Sequence, residues 1–263
     1  VEVLRDITHM KQLHIKMLQQ NEKLQSDLNI ARKLQCSLLP KELPKDKIDF
    51  AFLYRPCETL GGDFLDIFEI DSNHIGIYVA DVSGHGVSAS MLTIFLRSSI
   101  DKKNLSPAKV LEKLYRDFNN QDFATDLYIT VFYAVINLKN GEMVYSNAGH
   151  NVSPIVFNKD RFEVLRVPGI PISNWVESAK YTDMSTSLQK GDRLFLYTDG
   201  IIELKNKSNE QFGEERLLKI LLDDPSIPSI VLNRMVESAY DFADIEDNSS
   251  IADDITIALL EIK

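Results

Sequence analysis

Cysteine is scarce in this 263-residue sequence, which contains only Cys36 and Cys57. The two residues lie in unrelated contexts and form no CxxC pair, so the sequence gives no sign of a disulfide framework or of a cysteine-based zinc site. Two reduced thiols are typical of a cytoplasmic protein, and we expect that location.

Long apolar runs and an excess of basic residues are also missing. The longest apolar run, at residues 131–136, is far shorter than a membrane span, and no cationic segment followed by an apolar core marks a secretory signal. Acidic residues outnumber basic ones, 39 to 29, for a formal net charge of −10. Because nucleic-acid binding normally requires a concentrated basic surface, we expect no nucleic-acid partner. Because the apolar runs are too short to span a membrane, we also expect no membrane contact in this segment.

Glycine is absent from the first forty residues, and proline occurs there only at Pro40. The shortage of both residues predicts a long helix, which Pro40 and Pro44 bring to an end. The rest of the chain has ordinary globular composition, so we divide it into a signalling helix or coiled-coil linker at residues 1–40 and a folded domain at residues 41–263.

The N-terminal segment carries a heptad repeat. With Ile7 as an a position, the d positions are all apolar, and these are Met10, Met17, Leu24, Ala31 and Leu38. Asn21 at an a position favours a parallel dimer, whereas His14 and Gln35 at other a positions weaken the seam. We predict a parallel homodimer through residues 7–38, and the alternative is a single amphipathic helix packed on its own domain.

Short apolar segments separated by turn signals make up the remainder. Strands are predicted at residues 48–55, 66–70, 74–80, 128–138, 143–148, 155–158, 193–197 and 255–262, and helices at 86–100, 107–120, 214–222 and 228–244. The first of these helices has an apolar face formed by Val87, Met91, Ile94 and Phe95. Since strands arrive in hairpins and helices in separate groups, we expect an α+β fold, a layered α-β-β-α sandwich with two antiparallel sheets.

Aspartates occur in four short segments, each at or beyond the end of a predicted strand and beside glycine or a turn. They are Asp63, Asp81, Asp199 and the pair Asp253 and Asp254. Any one segment alone is more simply a turn, a helix cap or a solvated carboxylate. Hard cations such as Mg²⁺ and Mn²⁺ prefer oxygen ligands, and two ions about 3.5–4 Å apart can support an in-line phosphoryl displacement. The four segments together therefore indicate a site for divalent cations.

Seven motifs appear in the order found in the PPM-type metal-dependent serine/threonine phosphatases. They are LQCSLLP at residues 34–40, GGD at 61–63, ADVSGHG at 80–86, NAGHN at 147–151, LYTDG at 196–200, FGEERL at 212–217 and DDIT at 253–256. The chain resembles the bacterial SpoIIE-like or RsbU-like branch of this family over about residues 30–263. The resemblance implies hydrolysis of phosphoserine or phosphothreonine on a partner protein, an anti-sigma-factor antagonist, by a water activated by two Mn²⁺ or Mg²⁺ ions.

The resemblance also implies a set of metal ligands. Asp81 matches the carboxylate that bridges both ions, and the Val82 carbonyl and Asp63 join it at the second ion. Asp199 and Asp253 match the ligands of the first ion. Asp254 is adjacent to Asp253 and is the alternative ligand at that position.

The group that protonates the leaving oxygen is left open among His85, Asn147 and a water molecule. Many relatives carry a histidine where this chain has Ser83, and a phosphate-gripping arginine where it has Thr59. A catalytically silent, partner-binding scaffold on the same fold is the alternative function, although all four aspartate segments are retained.

A fainter resemblance concerns the start of the chain. Residues 3–11 (VLRDITHMK) resemble the exit of a PAS-type sensor domain, where such a motif leads into a signalling helix. Because the sequence begins at Val1 rather than Met, we expect a missing upstream sensor whose signal passes through the N-terminal helix to the phosphatase.

Overall fold

The computed structural model describes residues 2–40, 46–245 and 251–263. It divides the chain into two compact units, Val1–Leu38 and Leu39–Lys263. The first unit is the 37-residue helix α1 (Glu2–Leu38). Three of its predicted d-position side chains, Met10, Met17 and Leu24, are 56–68% exposed. In the described part of the chain, no helix has the length and apolar character needed to cross a membrane.

The second unit contains two five-stranded antiparallel sheets. Its strands are β1 (Ile48–Arg55), β2 (Phe64–Glu69), β3 (His74–Val82), β4 (Ile129–Asn137), β5 (Glu142–Ala148), β6 (Ile155–Phe157), β7 (Phe162–Val164), β8 (Met184–Ser187), β9 (Arg193–Tyr197) and β10 (Ile255–Ile262). Its helices are α2 (Gly86–Ser99), α3 (Pro107–Asn119), α4 (Gly200–Glu203), α5 (Gly213–Asp223) and α6 (Pro228–Ala243). Sheet A has the order β1-β10-β9-β6-β7, and sheet B has the order β2-β3-β4-β5-β8.

The hydrophobic core is layered in the way that alternating strand side chains require. Leu196 of β9 and Val79 of β3 belong to a cluster that joins the two sheets, whereas the neighbouring Tyr197 belongs to an outer cluster with Leu232 of α6. Helices α2 and α3 contact sheet B, and α6 contacts β1 and β10 of sheet A. The predicted α-β-β-α sandwich with two antiparallel sheets is confirmed.

Helix α2 buries a different face from the apolar one indicated by its sequence. Val87, Met91 and Ile94 are 42–58% exposed. The buried residues are Ala89, Ser90, Leu92, Thr93 and Leu96. Two hydroxyls can be buried here because Ser90 donates to the Val87 carbonyl at 2.8 Å and Thr93 donates to the Ser90 carbonyl at 2.7 Å. The buried face thus combines Leu92 and Leu96 with small residues whose hydroxyls are satisfied within the helix, whereas Val87, Met91 and Ile94 face outward.

A row of polar side chains crosses sheet B at neighbouring register positions. Asp66 pairs with Tyr78, Tyr78 with Tyr133, and Tyr133 with Ser146. All four are buried, and Lys102 donates to the Asp66 carboxylate at 2.6 Å. Among the described residues, the hydroxyls of the two tyrosines and of Ser146 have no hydrogen-bond partner. The row is therefore a polar seam in an otherwise apolar layer.

We expect Tyr133→Phe to leave the free energy of unfolding unchanged or to raise it by up to about 1 kcal/mol, because a buried hydroxyl without a partner costs free energy. Tyr115→Phe is the matched control, since the Tyr115 hydroxyl donates to the Val176 carbonyl. Losing that bond should lower the free energy of unfolding by about 1 kcal/mol. Urea unfolding measures both, and equal destabilisation by the two variants would contradict the account of Tyr133.

Candidate metal centre

The four aspartate segments meet at one edge of the two sheets. Asp81 lies at the end of β3, and Asp63 directly precedes β2 beside it. On sheet A, Asp199 follows the end of β9 and Asp253 precedes β10. Strand ends that are far apart in sequence therefore bring these side chains into one region.

A cleft of about 570 Å³ opens at this edge. Its lining includes Asp81, Val82, Ser83, Gly84, His85, Tyr128, Thr130, Asn151, Trp175, Asp199 and Asp253. The rings of Tyr128 and Trp175 lie 5.2 Å apart and form an aromatic wall. The cleft thus places three of the predicted ligand carboxylates and the Val82 residue next to an aromatic surface.

Asp63 lies beneath the cleft and is 2% exposed. The Thr198 hydroxyl donates to its Oδ2 at 2.7 Å and itself accepts the Thr256 N–H at 3.0 Å. Burial raises the pKa of Asp63 well above its ordinary value, and the charges of Asp81 and Asp254 add to the effect. Thr198, which sequence reasoning did not single out, is thus the hydroxyl that orients the buried carboxylate.

Asp254 differs from its neighbour Asp253 in what it contacts. Its carboxylate accepts backbone N–H groups from Cys57 at 2.8 Å, Gly62 at 2.5 Å and Asp63 at 3.2 Å. Asp253 lines the cleft, whereas Asp254 is buried and fixes the Gly-Gly-Asp turn. The geometry separates two adjacent acids that the sequence left as alternatives.

Glycine at position 62 allows this turn to lie close to the loop after β3. A Cβ atom there would be 2.9 Å from the Val82 carbonyl oxygen and 3.0 Å from that of Gly84. These distances are too short for a side chain, so only glycine allows this turn to lie so close to the Val82 and Gly84 carbonyls.

The carboxylates repel one another across the cleft. Burial raises the pKa of Asp81 to about 7, and the charges of Asp199, Asp253 and Asp254 contribute. Burial also raises the pKa of Asp253, with the charges of Asp199 and Asp254 among the further causes. None of the described residues that line the cleft is Lys or Arg. An oxygen-rich, negatively charged cleft without its own cation matches the ligands that Mg²⁺ and Mn²⁺ prefer.

The same carboxylates do not yet form a coordination sphere. Within residues 2–40, 46–245 and 251–263, no group of three or more His, Cys, Asp or Glu side chains is arranged to hold a metal ion. The donor set fits divalent cations by its chemistry, since it supplies carboxylate oxygens and the Val82 residue with its carbonyl at one cleft.

The two residues predicted as proton donors lie in different environments. His85 is at the rim of the cleft, 67% exposed, with its Nδ1 2.8 Å from Oε1 of Glu58. Asn147 is not among the described residues that line the cleft. Its amide donates to the carbonyls of His150 and Val167, and its oxygen accepts the His150 N–H at 2.8 Å. Glu58 is a further residue that the sequence analysis did not identify.

The NAGHN motif also contributes directly to the centre. The Asn151 amide donates to Oδ2 of Asp199, and Asn151 itself lines the cleft. The spacing of motifs identified this segment, but only the structure shows that its last residue holds a candidate ligand.

Comparison with known proteins agrees with the fold and with the family resemblance. The sequence pattern of the family described as Stage II sporulation protein E (SpoIIE) matches residues 71–263. The chain belongs to the SpoIIE family. It is 27% identical over 247 residues to "Phosphoserine phosphatase RsbU" of Bacillus subtilis (strain 168), a match that covers 92% of this chain and 72% of that protein. The resemblance predicted from the motifs is thereby confirmed.

Two further similarities extend the comparison of this SpoIIE-family chain. "Phosphoserine phosphatase RsbP" of Bacillus subtilis (strain 168) is 31% identical over 186 residues, covering 67% of this chain but only 45% of RsbP. The structure of the SiaA-PP2C domain of Pseudomonas aeruginosa superposes with a TM-score of 0.80 at 20% identity, covering 92% of this chain and 98% of that one. The latter establishes the PP2C fold.

Proposed function

We propose that this chain is a metal-dependent protein serine/threonine phosphatase that hydrolyses phosphoserine or phosphothreonine on a partner protein. The observation that carries the proposal is the convergence of Asp81, Asp199 and Asp253 on one cleft whose lining, among the residues that the structure describes, includes no Lys or Arg. Membership of the SpoIIE family and similarity to proteins named phosphoserine phosphatases support the same conclusion.

We assign the metal ligands as Asp63, Asp81, the Val82 carbonyl, Asp199 and Asp253, with two Mn²⁺ or Mg²⁺ ions as the cofactor. Asp254 is assigned to holding the turn, because its oxygens already accept three backbone N–H groups. When bound, such ions activate water and neutralise charge on the phosphoryl group. Thr198 and Asn151 orient the carboxylates of Asp63 and Asp199.

The substrate is proposed to be a phosphorylated protein of the anti-sigma-factor antagonist type, as the family resemblance implies, and the location cytoplasmic. The cleft is open enough for a phosphorylated side chain on a protein surface, and the exposed Trp175 lies beside it. A serine phosphate would enter between the aromatic wall and the carboxylates.

The test is to strip the chain with a chelator, add Mn²⁺ or Mg²⁺, and measure phosphate released from phosphoserine and phosphothreonine proteins. Release that depends on the added ion is expected. A purified, folded chain that releases no phosphate with either ion would overturn the proposal.

A catalytically silent scaffold is the second candidate, and the observation that favours it is the unformed coordination sphere among the described residues. Calorimetric titration separates the two functions. A phosphatase takes up Mn²⁺ before it turns over substrate, whereas a scaffold binds its partner protein equally well without Mn²⁺ uptake.

We propose His85, supported by Glu58, as the group that protonates the leaving oxygen. His85→Gln is expected to lower kcat by about 10²-fold with little change in KM, because general acid catalysis contributes at least this much. His74→Gln is the matched control, since His74 also pairs with a carboxylate, Asp71, at 2.9 Å but lies at the hairpin between β2 and β3. Equal kcat values for the two variants would assign protonation to a water molecule.

We propose that the chain forms a parallel homodimer through residues 7–38 of α1, in which the d-position side chains of Met10, Met17 and Leu24 are exposed. Leu24→Glu places a charge in the seam and is expected to convert the dimer to a monomer at the same protein concentration. Ile30→Glu is the control, because Ile30 is equally exposed, at 56%, but occupies a c position outside the seam. Sedimentation measures both, and a dimer that survives Leu24→Glu would contradict the proposal.

A further inference from the structure

One buried histidine connects the two sheets directly below the candidate metal centre. The His150 side chain is 4% exposed, and its Nε2 lies 2.9 Å from the Tyr197 carbonyl oxygen of β9 in sheet A. Its Nδ1 lies 3.4 Å from the Thr130 hydroxyl of β4 in sheet B. A single imidazole therefore spans the gap between the sheets at the edge where the aspartates converge.

Each end of the imidazole contacts the support of a candidate ligand. The Thr130 hydroxyl donates to the Asp81 carbonyl at 3.2 Å, and Thr130 is the cross-strand partner of Asp81. On the other side, Tyr197 is the last residue of β9 and lies two residues before Asp199. The path from the Asp81 backbone to the Asp199 backbone thus runs through Thr130, His150 and Tyr197.

The proton on the ring can be placed from its partners. A carbonyl oxygen only accepts, so Nε2 must carry the proton that is donated to Tyr197. Burial lowers the pKa of His150, which keeps the ring neutral at physiological pH and leaves Nδ1 as an acceptor. The single Thr130 hydroxyl proton is then shared between Nδ1, at 3.4 Å, and the Asp81 carbonyl oxygen, at 3.2 Å. The ring is thus a neutral hydrogen-bonded link between two strands.

The backbone of this histidine is itself fixed. Asn147 accepts the His150 N–H and donates to the His150 carbonyl at 3.2 Å, so the amide closes the NAGHN turn around the ring. His150 is not among the described residues that line the cleft, whereas its neighbours Gly149 and Asn151 are. It is therefore placed to act on the strands and not on a bound phosphate.

We propose that His150 is a positioning residue that sets the separation between the Asp81 and Asp199 strand ends and thereby the affinity of the centre for divalent cations. The inference rests on the proposed function. Its physical reason is the repulsion between the two carboxylates, which favours separation of the strand ends unless a link between the sheets opposes it. Such a link lowers the cost of bringing the oxygens around an ion.

The experiment compares three substitutions at this position in the full chain. His150→Leu removes both hydrogen bonds and is expected to weaken Mn²⁺ binding about 10- to 100-fold, the range found when the supporting partners of metal ligands are removed. His150→Gln should restore most of the affinity, because its amide nitrogen reaches the Nε2 position and can donate to Tyr197. His150→Asn is shorter and should not restore it.

The measurements are the Mn²⁺ dissociation constant from calorimetry and, separately, kcat and KM at saturating Mn²⁺. We expect the Mn²⁺ dissociation constant to rise in His150→Leu and His150→Asn, and KM to stay close to that of the unmodified chain. His74→Gln, a histidine substitution at the far end of β3, should leave all three unchanged. Thermal unfolding identifies any variant that fails to fold. If His150→Leu does not fold, the difference in Mn²⁺ affinity between His150→Gln and His150→Asn decides whether the inference holds.

Two outcomes would overturn the inference while leaving the phosphatase proposal in place. One is unchanged Mn²⁺ affinity in folded His150→Leu, and the other is equal affinity in His150→Gln and His150→Asn. Absence of Mn²⁺ uptake by the unmodified chain would instead remove the proposed function, and the inference with it.

Discussion

Asp81→Asn is expected to lower kcat for phosphate release by at least about 10³-fold, because Asp81 is the proposed ligand of both ions and its loss would weaken a stabilisation of the transition state that is worth several kcal/mol. The geometry explains why this position matters most. Asp81 lines the cleft together with Asp199 and Asp253, and its charge contributes to the raised pKa of the buried Asp63. The measurement is phosphate release at saturating substrate over a range of Mn²⁺ concentrations.

The same substitution is expected to stabilise the metal-free protein. The amide removes a carboxylate whose neighbours repel it, so the thermal midpoint without ions should rise although activity is lost. Loss of activity together with loss of stability would instead indicate a structural role for Asp81.

Asp192→Asn is the matched control for this prediction. The Asp192 carboxylate is also buried, but it accepts hydrogen bonds from Arg161 at 2.9 Å and from the Gln189 N–H at 2.9 Å. Its replacement should therefore lower stability and leave kcat nearly unchanged. Opposite changes in stability and in kcat in the two variants would distinguish a carboxylate that stabilises the fold through hydrogen bonds from one that binds a cation.

The strands were largely predictable because their side chains follow the requirements of a buried sheet. Residues 48–55, 193–197 and 255–262 were predicted with the bounds that the structure has, since apolar side chains in these segments face a core layer. Strand β8 (Met184–Ser187) was not predicted, because its sequence MSTS is mostly exposed at the edge of sheet B and has no apolar pattern. Strand β7 (Phe162–Val164) was not predicted either, because it is only three residues long and lies at the edge of sheet A.

The candidate site was predictable in its chemistry but not in its detailed contacts. Aspartates beside glycine at strand ends indicated a cation site, because each motif combines an oxygen ligand with a turn. Asp253 and Asp254 could not be separated in sequence, since the difference depends on the distant N–H groups of Cys57 and Gly62. The role of His150 depends likewise on a carbonyl from the other sheet.

The exposed face of α2 illustrates a limit of helical periodicity. Apolar residues at helical spacing normally face the core, but Val87 and Met91 are exposed while Ser90 and Thr93 are buried. The Ser90 and Thr93 hydroxyls donate to carbonyls of their own helix, so these residues can be buried although helical periodicity treats them as polar. The position of the helix was therefore predicted correctly, but its periodicity did not determine which face packs on the sheet.

Binding of Mn²⁺ is expected to raise the thermal midpoint of the chain by about 5–10 °C at about 100 times the dissociation constant. Ligand at that concentration stabilises the folded state by about 2.7 kcal/mol, and each kcal/mol shifts the midpoint of a domain of this size by about 2–4 °C. The shift should be absent or much smaller in Asp81→Asn and retained in Asp192→Asn. A midpoint that does not respond to Mn²⁺ in the unmodified chain would contradict cation binding.

The pH dependence of this stabilisation follows from the raised pKa of Asp81. Its value in the folded chain, about 7, exceeds the ordinary 3.8, so the metal-free folded state binds a proton more tightly than the unfolded state. Lowering the pH from about 7 towards 4 should therefore relieve repulsion and add stability to the metal-free protein. Because cations need the deprotonated carboxylate, the shift caused by Mn²⁺ should shrink over the same range. Thermal unfolding with and without Mn²⁺ between pH 5 and 8 tests both trends, and a metal-induced shift that grows as the pH falls would place the ion elsewhere than at Asp81.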